Sequence, residues 1–163
     1  MTNVPTDTAR VIAPPPLIAL GTLLLGLILD RLFPIGAAGA MLPGTRRFVI
    51  AAVFFAAGIW MVVRALLDFR QVGTPAEPWK PTTALATHGI FRKTRNPMYQ
   101  AFGILTFALA VVFASDWTIL LIVPGAIVMH YGVVRREERY LTAKFGEPYR
   151  RYMDEVPRYG WPL

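Results

Sequence analysis

Four long stretches without a charged residue constrain this chain more than any other feature of its sequence. They cover residues 11–29, 48–63, 96–115 and 117–134. A helix needs about 20 residues to cross the roughly 30 Å hydrocarbon core of a bilayer, and each stretch reaches or can be extended to about that length. We therefore predict an all-α integral membrane bundle of about four spans, forming one domain over residues 1–163. The predicted spans are residues 16–32, 48–67, 97–115 and 117–134.

The composition agrees with a membrane environment and excludes several kinds of site. Apolar residues make up 55% of the 163 residues and charged residues only 17%, below the quarter or so that is usual in soluble domains. Because the chain has no cysteine, it cannot form disulfides, thiolate zinc sites or a cysteine nucleophile. With only two histidines, we expect no metal site.

The basic residues lie in blocks between the apolar stretches. Fourteen of the 17 Lys and Arg residues precede the first span, follow the fourth span, or lie in and around the second loop, from Arg64 near the end of the second span to Arg95. By the positive-inside rule, both termini and the second loop then face the cytosol. With a net charge of +7 in this pattern, we expect membrane lipids as partners and not nucleic acid. The short loops favour a bacterial inner membrane.

The chain after the fourth span has the pattern of an amphipathic helix. Its apolar side chains recur at intervals of four, four, three and four residues, at Leu141, Phe145, Tyr149, Tyr152 and Val156. Gly146 and Pro148 divide this C-terminal helix into two pieces. A tight hairpin near residues 115–117 joins the last two spans, so it returns this helix to the membrane face where the third span begins.

Two polar segments, residues 81–99 and 135–157, therefore become neighbours. The first contains His88-Gly89 and then Arg95-Asn96-Pro97-Met98-Tyr99, and the second contains Glu137-Glu138 and then Phe145-Gly146-Glu147-Pro148-Tyr149. This order resembles the isoprenylcysteine carboxyl methyltransferases and phospholipid N-methyltransferases over residues 81–161. The resemblance implies an integral membrane methyltransferase that uses S-adenosylmethionine, without a Rossmann fold, on a lipophilic acceptor that enters from the bilayer.

The resemblance also implies which residues line the cofactor pocket, and we place His88 with them: His88, Gly89, Arg95, Asn96, Pro97, Tyr99, Glu137 and Glu138. The chemistry is consistent, since a glutamate can accept from the cofactor's ammonium or ribose and the planar Arg95 fork can grip its carboxylate. Successive helical residues lie about 100° apart. We therefore expect that Glu137 and Glu138 do not point into the pocket equally, and that one of them pairs instead with Arg92, Arg135 or Arg139.

The acceptor remains open at this level. A carboxylate acceptor needs only positioning, for which Arg95 and Arg136 are the candidates, whereas an amine acceptor must lose a proton, to His88 or Glu138. His130, within the fourth span, is either a hydrogen-bonded structural residue or a gate to the site. Two other functions fit parts of the pattern: reduction of a lipid double bond with a nicotinamide cofactor, and a non-catalytic adaptor whose basic tail binds anionic lipid or a partner.

Overall fold

The computed structural model describes residues 7–160, and every regular element in that part of the chain is helical. Seven α-helices occur, with a 3₁₀ turn at Gly89–Arg92 and a π turn at His130–Val134. The helices are α1 (Pro15–Leu32), α2 (Ala37–Met41), α3 (Thr45–Gln71), α4 (Pro97–Phe113), α5 (Asp116–Met129), α6 (Arg135–Phe145) and α7 (Glu147–Glu155).

The predicted membrane bundle is confirmed. Helices α1 and α3 and the continuous helix Asp116–Phe145 are long and apolar enough to cross a membrane, and α4 is a shorter apolar helix. Proline occupies the first turn of both α1 and α4, where its missing N–H costs nothing. Helix α3 is longer than the predicted second span, because the charged residues at both its ends continue the helix.

The boundary between the fourth span and the amphipathic segment after it is not a break in the helix. The helix of the fourth span continues through the π turn into α6, so Asp116–Phe145 is one helix. The residues of the π turn after Tyr131 are buried, and Ile12 contacts Gly132 so closely that a Cβ atom there would lie 2.2 Å from Ile12 Cδ1. The predicted division at Gly146 is confirmed, since α6 ends at Phe145 and α7 begins at Glu147.

Packing between the helices depends on small residues at close crossings. Helix α3 lies along α4 and α1 lies along α5. A Cβ atom on Gly58 would lie 2.7 Å from Leu105 Cγ, and one on Gly26 would lie 2.1 Å from Thr118 Oγ1. Glycine at these positions lets the backbones approach, as is common between membrane helices.

The hairpin between α4 and α5 is held by a polar cluster at the far end of the bundle. Ser115 caps α5, with its hydroxyl accepting from Thr118 N at 3.1 Å. Asp30 at the end of α1 accepts from the Ser115 hydroxyl and, at 3.2 Å, from the Trp117 amide. This hairpin brings the beginning of α4 and the end of α5 to the same end of the molecule.

A polar layer covers that end. It consists of residues 7–12, the loop at residues 72–88, the 3₁₀ turn, α6 and α7. Tyr140 Oη connects three of these parts, since it accepts from Thr82 N at 3.0 Å and donates to Asp7 Oδ1 at 2.9 Å. Lys144 also bonds Asp7, and Ala9 N donates to Pro78 O at 3.4 Å.

Candidate functional site

A cleft opens between the loop at residues 72–88, the start of α4, and the helices α6 and α7. Its interior volume is about 60 Å³, and about 720 Å³ when the space open to solvent is counted. Both polar and aromatic side chains line it. They are Glu77, Thr82, Phe91, Arg95, Asn96, Tyr99, Glu137, Glu138, Tyr149 and Tyr152, with Phe69, Leu85, Met98 and Leu141 among the apolar ones.

Glu138 is the centre of an ion-pair network at one wall of this cleft. Arg95 Nη1 donates to Glu138 Oε1 at 2.8 Å. Arg158 binds the same carboxylate through two bonds, from Nε to Oε1 and from Nη2 to Oε2, both 2.8 Å long. These hydrogen bonds raise the pKa of the Arg158 guanidinium. The buried carboxylate is thus satisfied on both oxygens by two cations.

The chain around Arg95 holds Arg158 in place. Asn96 Nδ2 and Thr94 Oγ1 each donate to the Arg158 carbonyl at 3.1 Å, and Arg95 N donates to Pro157 O at 3.0 Å. Asn96 lines the cleft, as predicted, but its side-chain amide is already used in this contact. Sequence reasoning missed Arg158, because it lies alone among Pro157, Tyr159 and Gly160 with no pattern to distinguish it.

Glu137 and Tyr99 form the opposite part of the wall. Tyr99 Oη donates to Glu137 Oε2 at 2.6 Å. Both Glu137 and Glu138 line the cleft, but they have different partners. The arginines that pair with Glu138 are Arg95 and Arg158, instead of the expected Arg92, Arg135 or Arg139. The two side chains diverge, one to Tyr99 on α4 and the other to Arg158 after α7.

Two tyrosines of α7 form the aromatic floor. Tyr152 Oη donates to Phe91 O at 2.7 Å, which ties α7 to the 3₁₀ turn. Burial raises the pKa of the Tyr149 phenol, the nearby carboxylates Glu138 and Glu137 raise it further, and Arg95 partly opposes them. Burial also raises the pKa of Tyr152. Both phenols therefore stay protonated, and the single O–H of Tyr152 is already donated to Phe91 O.

His88 and Gly89 do not line the cleft. His88 Nε2 bonds Gln71 Oε1, on the last residue of α3, at 2.7 Å. Gly89 has a φ of +57°, and a Cβ atom there would lie 2.1 Å from Asp68 Oδ2, which accepts from Ile90 N at 2.8 Å. These contacts give Gly89 a structural reason to be glycine, whereas the sequence had suggested a close approach to a ligand.

Arg136 also lies away from the cleft. Its Nη1 donates to Arg10 O at 3.0 Å, so it fastens the segment before α1 to α6. Pro97, Arg95, Tyr99, Glu137 and Glu138 do line the cleft. The structure thus brings together the predicted residues of α4 and α6, but not His88, Gly89 or Arg136.

The donors and acceptors around the cleft fit S-adenosylmethionine. Arg95 Nε is buried and has no hydrogen-bond partner among residues 7–160, so one donor is left for a ligand carboxylate. In the same part of the chain no hydrogen bond reaches Glu137 Oε1, which leaves an acceptor for an ammonium or a ribose hydroxyl. Small-molecule sites occupy about 300–1,000 Å³. The cleft reaches this range only when the space open to solvent is counted, so a ligand of this size would extend beyond its interior.

A comparison with known protein families identifies a family for this chain. The family model described as phospholipid methyltransferase matches residues 46–148, more than half of the chain. The chain belongs to the phospholipid methyltransferase family. No curated protein and no solved structure matches it. As a phospholipid methyltransferase family member it is an integral membrane methyltransferase, in agreement with its apolar helices.

The match to the phospholipid methyltransferase family covers only part of the cleft. Arg95, Tyr99, Glu137 and Glu138 lie inside residues 46–148, while Tyr149, Tyr152 and Arg158 follow the matched region. The tertiary structure adds these three residues, which come from α7 and the segment after it.

Proposed function

We propose that this protein is an S-adenosylmethionine-dependent methyltransferase that acts on a lipophilic small molecule or lipid, by carboxyl O-methylation or amine N-methylation. The observation that carries the proposal is the cleft in which Arg95, Glu137 and the α7 tyrosines converge. It combines a cation, carboxylates and aromatic surface, and the cofactor's carboxylate, ammonium and adenine need that combination.

When bound, the cofactor supplies an electrophilic methyl group. Arg95 holds the cofactor's carboxylate through its buried Nε, and Glu137 accepts from its ammonium or ribose. Glu138 does not contact the ligand; its carboxylate accepts from Arg95 and so orients the Arg95 guanidinium. Because transfer of the methyl group from the cofactor's sulfur to an acceptor oxygen or nitrogen is a direct displacement at the methyl carbon, it needs no covalent enzyme intermediate. Catalysis would then consist mainly of alignment and electrostatics.

The membrane position of the cleft suits such a reaction. The polar layer admits a charged cofactor from the aqueous side, for which we propose the cytosol of a bacterial cell. A lipophilic acceptor diffuses laterally in the bilayer and enters between the helices. Retained membrane association without cofactor binding would favour instead the adaptor function, in which the exposed arginines of α6 and α7 bind anionic lipid.

Calorimetric titration of the detergent-solubilised protein tests the proposal. We expect saturable binding of S-adenosylmethionine and of its demethylated product, S-adenosylhomocysteine. We expect no binding of nicotinamide adenine dinucleotide phosphate, the control ligand. Replacing Glu137 by Gln should raise the Kd about tenfold or more, the loss of one charge-assisted bond of roughly 1.5–3 kcal/mol. Arg95→Ala should raise it at least as much.

A matched control is Glu147→Gln, which removes the same charge from an exposed position in the first turn of α7. It should leave the Kd unchanged. Equal affinities in the wild-type protein and in both Glu137→Gln and Arg95→Ala would refute this assignment of the cleft. Failure of the folded wild-type protein to bind either cofactor form would refute the function itself.

A further inference from the structure

A second concave surface, which we call the basic groove, lies between α6 and α7. Its interior volume is about 370 Å³, and about 710 Å³ with the space open to solvent. Four arginines line it: Arg135 and Arg139 of α6, Arg150 of α7, and Arg158. Within the described residues, Glu138 is the only carboxylate in its lining. Four positive charges and one negative charge leave a formal charge of +3, which attracts anions.

Arg135 and Arg139 are available for a ligand. Among residues 7–160 neither side chain forms an ion pair. Arg139 Nε donates to Arg135 O at 3.2 Å, and the Arg135 guanidinium lies 5.8 Å from the centre of the Tyr131 ring. No hydrogen bond in this part of the chain uses the terminal Nη atoms of either arginine. Both guanidinium groups therefore keep free donors.

Arg150 and Arg158 are engaged only in part. The contact between Arg150 Nη1 and Glu147 Oε2 is 3.8 Å long, and both side chains are more than half exposed, so it contributes little. Arg158 donates to Glu138 from Nε and Nη2, which uses two of its five N–H groups. Glu138 also accepts from Arg95, which does not line the groove. This carboxylate is already paired and opposes the binding of an anion only weakly.

The basic groove lies just beyond the lipid-exposed face of the fourth span. Val123, Ile127 and Tyr131 follow one another at intervals of four residues, and each is more than half exposed. Arg135 and Arg139 continue this interval on the same helix, and both are exposed. At 1.5 Å per residue they lie about 6 and 12 Å beyond Tyr131. The head-group layer of a leaflet is about 5–8 Å thick, and an exposed tyrosine is typical of its inner boundary. Arg135 thus lies at the depth of the lipid phosphates.

We propose that the basic groove binds the phosphate of an anionic phospholipid that is not the methyl acceptor. Planar guanidinium groups bind phosphate oxygens through paired N–H donors, and Arg135, Arg139 and Arg150 supply them here. The acyl chains lie along Val123 and Ile127, on the outside of the bundle. Because Arg135 and Arg139 belong to α6 and Arg150 belongs to α7, the lipid bridges the two helices.

A lipid fits this position better than a soluble phosphate. A soluble phosphate gains only the arginine contacts, whereas an anionic lipid is already concentrated at this depth of the membrane. A zwitterionic lipid also carries a phosphate, but its ammonium meets an excess of arginine charge. Of the described residues, only Glu138 lines both the groove and the cleft. Lipid binding in the groove therefore does not depend on the proposed methyl transfer.

Native mass spectrometry of the detergent-solubilised protein tests the groove with two lipids of identical chains, phosphatidylglycerol and phosphatidylcholine. Phosphatidylglycerol is anionic and has no amine, so it cannot be an amine acceptor. An arginine near an anionic lipid surface strengthens binding about fivefold. With the excess of arginine charge in the groove, phosphatidylglycerol should bind about tenfold or more tightly than phosphatidylcholine. Equal affinities for the two lipids would overturn the proposal.

Two neighbouring arginines of α7 form a matched pair. Arg150 lines the groove, whereas Arg151 is also exposed but does not line it. Arg150→Gln should weaken phosphatidylglycerol binding about fivefold, and Arg151→Gln should leave it unchanged. The double variant Arg135→Gln/Arg139→Gln should weaken it about 25-fold. Equal effects of the two α7 variants would overturn the groove as the site, and so would wild-type affinity in the double variant.

A soluble ligand distinguishes the two sources of the phosphate. Glycerophosphoglycerol is the head group of phosphatidylglycerol without its acyl chains. It should not displace phosphatidylglycerol when both are present at the same concentration. Displacement that Arg150→Gln abolishes would assign the groove to a soluble phosphate ligand and overturn the lipid assignment.

The outcome for the groove is separable from the outcome for the proposed function. The double variant should bind S-adenosylhomocysteine as the wild-type protein does, because neither Arg135 nor Arg139 lines the cleft. If the folded protein binds phosphatidylglycerol in a manner sensitive to Arg150→Gln but binds neither form of the cofactor, the groove stands, the methyltransferase function falls and the adaptor function is favoured. If it binds S-adenosylhomocysteine but not phosphatidylglycerol, only the groove assignment falls.

Discussion

A substitution at Gly89 can distinguish a ligand-binding role of the segment before α4 from a structural role. Gly89→Ala forces an L-residue to adopt a φ of +57°, which costs about 1–2 kcal/mol. It also places a Cβ atom 2.1 Å from Asp68 Oδ2, the acceptor of the buried Ile90 amide. Displacing that carboxylate sacrifices a hydrogen bond to a charged group, worth roughly 1.5–3 kcal/mol.

Gly73→Ala is the matched control for this variant. Gly73 follows α3 with a φ of +69°, but a Cβ atom there meets nothing within 4 Å, so only the backbone cost of about 1–2 kcal/mol applies. The free energies of unfolding of the two variants should therefore differ by about 1.5–3 kcal/mol. At about 2–4 °C per kcal/mol for a chain of this size, Gly89→Ala should melt about 3–12 °C below Gly73→Ala.

Thermal unfolding in detergent, followed by circular dichroism, measures the midpoints, and calorimetry below both of them measures the affinity for S-adenosylhomocysteine. We expect the folded Gly89→Ala protein to bind S-adenosylhomocysteine as the wild-type protein does. Equal midpoints for the two variants would refute the steric argument. Loss of S-adenosylhomocysteine binding at an unchanged midpoint would show that Gly89 contacts the ligand after all.

Three further predictions concern the site. A lysine at position 158 cannot bind the Glu138 carboxylate through two parallel bonds, so Arg158→Lys should weaken S-adenosylhomocysteine binding severalfold in calorimetry. The control Arg150→Lys, on the exposed side of α7, should leave this binding unchanged. Equal effects of the two variants on the affinity would contradict the role of the Glu138 ion-pair network. His88→Ala should leave that affinity unchanged, because His88 bonds Gln71 outside the cleft, and a lost affinity would restore His88 to the pocket. Burial raises the pKa of Tyr159 from 10.0 to about 12. Between these pH values the folded protein holds a proton that the unfolded chain releases, so the free energy of unfolding should fall as the pH rises from about 10 to about 12. Urea unfolding should show a smaller fall for Tyr159→Phe than for the wild-type protein, and an identical fall would contradict the shift.

The four apolar stretches determined the membrane bundle by themselves. A run of about 20 residues without charge has few alternatives to a spanning helix, and the prolines at positions 15 and 97 mark two helix starts. The motif Arg95-Asn96-Pro97-Met98-Tyr99 followed by Glu137-Glu138 determined the family and half of the cleft, because the hairpin of α4 and α5 fixes which segments meet.

Only the tertiary structure decided the partners within the cleft. Sequence spacing on one helix suggested that Glu137 and Glu138 compete for one direction, but each has a partner on a different element, Tyr99 on α4 and Arg158 after α7. His88 and Gly89 stand next to the motif in sequence, yet the 3₁₀ turn directs them toward α3. No local pattern in the sequence records how side chains from separate elements share one space.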